Sequence, residues 1–202
     1  MTASAAWRAA AAAVAAIAAA SGCAGANPVV PPPLPATPAE AAALYPLELG
    51  FRWAYDIEKG GERILAVYEV VERSGDTAQV QAGDQRLAYK TDAQGIARFD
   101  GGEIGDYVLR NPIELGAQWS LGDGKAKVVA VGEELTLDAG KFSGCATVEE
   151  SRTDPVRLVR TTFAPGVGPV RLEVQLADDG KLITMTHATL RGVTKPGEDP
   201  LR

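Results

Sequence analysis

From residue 46 onward the chain alternates apolar and polar positions with a period of two. In FRWAYDIE, Phe51, Trp53, Tyr55 and Ile57 alternate with Arg52, Ala54, Asp56 and Glu58, which gives a strand one aromatic face and one wet face. Comparable runs follow as RILAVYEVVE, TAQVQA, QRLAYKT, IARFD, AKVVAVG, CATVEESR, VRLVRTTF, PVRLEVQL and KLITMTHATL. Turn signals separate many of them: Gly60-Gly61, Ser74-Gly75-Asp76, Gly83-Asp84, Asp92 to Gly95, Gly101-Gly102, Gly122-Asp123-Gly124 and Asp178-Asp179-Gly180. Short strands with no helical stretch between them predict an antiparallel all-β domain over 46–191, built as a curved sheet, an open half-barrel or a two-sheet sandwich.

One stretch occurs twice. PLELGFRW (Pro46 to Trp53) returns 66 positions later as PIELGAQW (Pro112 to Trp119). Each copy starts with a proline, which cannot donate to a ladder and suits a strand start. A glycine then permits a bend or bulge, and a tryptophan supplies a large apolar group. The copies predict equivalent starts of two pseudo-halves, 46–110 and 111–191, with both tryptophans packed inside. A second reading has both lining the mouth of one cavity. Trp53, Tyr55, Trp119 and Phe163 are the candidate core or cavity-lining residues.

The N-terminal pattern is different. Arg8 precedes an apolar run from Ala9 to Ala20, too short to span a bilayer as a helix and suited to the middle of an export signal. This assigns 1–22 to a signal peptide. Residues 23–45 form a linker: prolines cluster between Pro28 and Pro35, favouring an extended, semi-rigid stalk. Thr37-Pro38-Ala39-Glu40 then carries the marks of a helix start with a capping box, ended by Pro46. The polar stretch 192–202, with two prolines, reads as a flexible tail.

Composition narrows the chemistry. The 202 residues hold only Cys23 and Cys145, and with Cys23 at the signal boundary no disulfide framework can be built. Removing Arg8 with the signal leaves 19 of the 20 basic residues against 26 acidic ones, a formal charge of −7, which argues against nucleic acid as a partner. Cys145 lacks a local histidine and reads as a small buried hydrophobe. Glu133-Glu134, Glu149-Glu150 and Asp178-Asp179 fall at predicted turns or strand ends, where solvated charge is expected. Asp100, Glu103 and Asp106 lack the ligand spacing of a calcium loop. FAPGVGPV has neither a following helix nor the lysine-serine pair of a phosphate loop; it reads as a turn and a restart, with Val170, Leu172, Val174 and Leu176 on one face.

The single histidine, His187, depends on hairpin register. A three-residue loop at Asp178-Asp179-Gly180 pairs Leu176 with Leu182 and puts His187 beside Arg171 on the polar face; this is the favoured reading. A two-residue loop at Asp179-Gly180 turns Ile183, Met185 and His187 toward the core. No catalytic residue, metal ligand or cofactor is assigned, and a non-enzyme is expected.

Two resemblances add to this. Ala20-Ser21-Gly22-Cys23 resembles the lipobox of bacterial lipoproteins, with Ala20 where leucine is commonest. The resemblance implies cleavage before Cys23, diacylglycerol on its sulfur and acylation of its amine, hence stable membrane anchoring. Ala24 implies outer-membrane delivery in a two-membrane host. Cleavage after Ala24-Gly25-Ala26 is the competing reading and releases a soluble protein. YPLELGFRWAY, AGKFSGCATVEE and TFAPGVGPVRLE resemble uncharacterised bacterial lipoproteins and periplasmic domains of unknown function, similar to the half-barrels of lipoprotein carriers and sorting proteins. The expected function is a membrane-anchored, non-catalytic structural or protein-binding module of the envelope. The alternative is a carrier or chaperone for lipid or lipoprotein acyl chains, which requires an unfilled apolar cavity.

Overall fold

A computed structural model describes residues 39–198. The signal segment, Cys23 and the stalk lie outside the described residues. A short helix, α1 (Ala41–Leu44), precedes twelve strands: β1 (Arg52–Lys59), β2 (Glu62–Ser74), β3 (Thr77–Ala82), β4 (Gln85–Asp92), β5 (Gly95–Asp100), β6 (Glu103–Arg110), β7 (Gln118–Leu121), β8 (Gly124–Leu137), β9 (Gly140–Thr153), β10 (Val156–Ala164), β11 (Gly168–Asp178) and β12 (Lys181–Thr194). They form one antiparallel sheet in the order β6-β5-β4-β3-β2-β1-β12-β11-β10-β9-β8-β7. The strands curl into a nearly closed barrel, so the sandwich alternative falls away. β12 continues three residues beyond the expected boundary at 191, with Val193 packed against the core.

Each half is a six-strand meander, and the halves join where β12 pairs with β1. The repeated sequence repeats its backbone. Gly50 N–H donates to Val70 O at 2.8 Å, Val70 N–H to Phe51 O at 2.9 Å, and Phe51 N–H to Glu48 O at 3.0 Å. In the second copy Gly116 donates to Val128 at 2.8 Å, Val128 to Ala117 at 2.9 Å, and Ala117 to Glu114 at 3.0 Å. Gly50 and Gly116 sit at φ +84° and +87°, a left-handed bend that a side chain would strain.

The barrel does not close by a ladder. β6 and β7 are the two ends of the sheet order, and side chains bridge the seam between them. Trp119 Nε1–H donates to Tyr107 O at 2.8 Å. Arg152 on β9 reaches Asp106 at 2.7 Å and Asp123 at 2.8 Å.

In a meander successive turns fall at opposite ends, and the two ends differ. α1 and the segment after it plug one end: Gly166 N–H, in the β10–β11 turn, donates to Ala43 O at 2.7 Å, and Arg73 Nη1 donates to Leu47 O at 2.7 Å. The helix start differs from expectation. Its N-cap is Glu40 without a side-chain cap bond, and Asn111 Oδ1 instead accepts from Ala41 N–H at 2.8 Å across 70 residues. The plug brings Leu44, Tyr45 and Leu47 against Trp53, Val70, Val80, Ile96, Leu109, Val128, Val148 and Phe163, all buried. The described residues, 39–198, belong to one compact unit around this core.

Candidate functional site

Toward the opposite end the interior is not filled. A cavity of about 410 Å³ opens there, within the range of small-ligand sites. Tyr45, Trp53 and Phe163 lie at its floor, where the plug ends; Tyr55, Ile57, Tyr68, Leu87 and Tyr89 line the first half of the wall, and Val159, Leu172, Val174 and Ala188 the second. Arg98 on β5, Glu150 on β9, Arg157 on β10 and Arg171 on β11 bring charge to it.

Local geometry fixes the floor. The FAPGVGPV segment makes the β10–β11 turn and seats two aromatics of β1. Trp53 Nε1–H donates to Val167 O at 2.6 Å, and the Tyr55 hydroxyl donates to Pro169 O at 2.7 Å. Gly168, at φ +107°, lies so close that a Cβ there would stand 3.0 Å from Trp53 Nε1, so a side chain would strain the backbone and press on the indole. The Tyr45 ring meets Trp53 at 5.7 Å and Tyr89 at 5.6 Å, both edge to face, and Tyr55 meets Tyr68 at 5.4 Å. Such pairs hold aromatic rings in fixed orientations. Burial pushes the phenols of Tyr45 and Tyr55 well above their ordinary value, and that of Tyr89 above it.

Glu150 is the unusual wall residue. Burial pushes its carboxyl up, against the opposing pull of Arg98, Arg152 and Arg157. The expectation that the Glu149-Glu150 pair is simply solvated is corrected here. Glu149 faces outward and pairs with Arg160 at 2.8 Å, while Glu150, one residue on, pairs in register with Val159 and faces inward. Alternation within CATVEE put Glu150 in phase with Val148, and in VRLVRTTF it put Arg157 in phase with Val159 and Phe163. A charge in phase with apolar neighbours was the signal that sequence reading passed over.

The sequence candidates separate. Trp53, Tyr55 and Phe163 line the cavity. Trp119 does not; it is 5% exposed and packs at the β6–β7 seam, so the two tryptophans do not share a mouth. Cys145 is a buried free thiol that burial pushes up, favouring the protonated, unreactive form. Asp106 is engaged by Arg152, apart from the Asp100–Glu103 pair at the β5–β6 hairpin tip.

His187 required two corrections that cancel. Asp178 pairs with Lys181, so the loop is the two-residue Asp179-Gly180, with φ +46° and +76° as a type I′ turn demands. Leu176 therefore meets Ile183 rather than Leu182. A bulge then intervenes, since Gln175 pairs with Thr184 and Val174 with Thr186. Skipping Met185 reverses the phase. His187 returns to the polar face, opposite Glu173 and Glu58 rather than Arg171, which pairs with Thr189.

Fold and cavity together define a class: a single antiparallel sheet curled into a barrel, plugged at one end and hollow at the other. No protein-family model and no curated protein sequence matches the chain. Among solved structures, the chain is similar to a protein from Bacteroides fragilis NCTC 9343 proposed to be exported and described as having a YmcC-like fold. The TM-score is 0.50 at 13% identity, over 75% of this chain and 99% of that one. A protein from Parabacteroides distasonis ATCC 8503 proposed to be a lipoprotein matches with a TM-score of 0.42 at 11% identity, over 75% and 98%. The first likeness speaks to the fold alone, and the second carries no argument.

Proposed function

We propose that the protein is an exported envelope lipoprotein, tethered through lipidated Cys23, whose barrel is a non-catalytic carrier for an acyl chain or a chain of similar shape. In a two-membrane host it faces the periplasm from the outer membrane. The observation that carries this reading is the unfilled, aromatic-walled cavity of about 410 Å³ beside a fully packed base. A structural module needs no such space, because closing it would stabilise the fold. The lipobox-like Ala20-Ser21-Gly22-Cys23 supports the tether.

A second reading, docking of a protein partner, draws on Leu65 and Val67, which are 60% and 44% exposed on one face of β2. Native mass spectrometry of residues 35–202, expressed in a bacterial periplasm and purified without detergent, tests between them. The carrier reading expects a stoichiometric adduct with the mass of a fatty acid or phospholipid. A bare protein that also fails to take up added lipid contradicts it and favours the docking surface.

A further inference from the structure

Five of the eleven arginines among the described residues are paired with carboxylates. Arg52, Arg63, Arg152, Arg160 and Arg191 each hold a carboxylate at 3.1 Å or less. Three arginines line the cavity, Arg98, Arg157 and the half-buried Arg171, and none makes a salt bridge among the described residues; Arg98 and Arg157 are exposed at its open side. They come from β5 and β10, strands far apart in the sheet order that the curl of the barrel brings to one opening. In a chain of net charge −6, two unpaired guanidiniums at the mouth of an apolar hole are a local reversal of sign.

We infer that the cavity selects amphiphiles with an anionic head, a carboxylate or phosphate held by Arg98 and Arg157, with the apolar chain lying along Ile57, Leu87, Val159 and Val174. This rests on the carrier reading of the same cavity. Guanidinium forks match the planar or trigonal oxygens of both heads and form charge-assisted bonds to them. On β10 the inward Val159 lies nearer the plugged end than Arg157, so the tail lies inside the cavity and the head stays in the opening. Glu150 is the one acidic residue of the wall. Burial raises its carboxyl against the opposing pull of Arg98, Arg152 and Arg157.

The test uses four ten-carbon probes below their micelle concentrations: decanoate, decyl phosphate, decanol and decyltrimethylammonium, titrated calorimetrically into residues 35–202. At least one anion is expected to bind about tenfold or more tighter than decanol, with the cation weakest. Which anion is tighter distinguishes a carboxylate from a phosphate head. In the Arg98→Gln/Arg157→Gln variant the anion preference should fall to within about twofold of decanol, while decanol binding itself stays and reports an intact cavity. Equal binding of anion and decanol by the wild type overturns the head-group inference and leaves the carrier reading standing. So does an anion preference that survives the double substitution. If none of the four probes binds, both fail.

Discussion

The two ends of the barrel are made by the same strands and differ in what fills them. At the plugged end Trp53, Phe163, Val70 and Val148 are buried to within 1%, because α1 and the Tyr45–Leu47 segment cover a hole the sheet alone leaves. At the open end the inward positions of those strands carry Ile57, Glu150 and Arg157 around empty space. The exposed Ile64, Leu87, Val156 and Ile183 lie at the strand ends on that side. Alternation decides which side chains point inward; whether they make a core or a cavity depends on whether another segment arrives to cover them.

The largest effect expected from breaking this contrast is at the floor. Trp53→Ala should lower stability by about 3–5 kcal/mol, read by urea unfolding, because it removes the largest fully buried side chain and leaves Val167 O without its donor. A loss below about 1 kcal/mol would mean that the plugged end is not a core. Asn111→Ala should cost about 1 kcal/mol by removing the cap of α1, with faster amide exchange confined to residues 41–45. Unchanged exchange there would remove Asn111 from the plug. At the open end the sign changes. Glu150 has a raised carboxyl when folded, so its contribution is present below the ordinary glutamate value and is lost as pH rises through the raised one. Glu150→Gln should therefore raise the thermal midpoint at neutral pH and flatten its fall across that window; a lowered midpoint at pH 7 would contradict a carboxylate that burial destabilises more than its arginines stabilise it. The smallest effect belongs to Leu87→Ala, at 36% exposure, with a stability change within about 0.5 kcal/mol and weaker binding of an apolar probe.

Period-two patterning made the sheet legible, and the PxELGxxW repeat located the starts of β1 and β7. The inward direction of Trp53, Tyr55 and Phe163 followed from the same alternation. What escaped depended on events that leave no periodic trace. The bulge at Met185 sends His187 outward although the turn before it would send it inward. The cap of α1 comes from Asn111, 70 residues away, and a local capping box cannot reveal that. Arg98, Glu150 and Arg157 converge only because the sheet curls, and that leaves no trace in the linear pattern.

The most direct test of the hollow end is to fill it. Val159→Trp places a large ring in the cavity wall while leaving the plug and the mouth arginines untouched. If the cavity is the binding site, decanoate affinity should fall by about tenfold or more with the unfolding midpoint unchanged or raised. Wild-type affinity in a folded Val159→Trp protein would contradict the account, since the ligand would then be bound elsewhere.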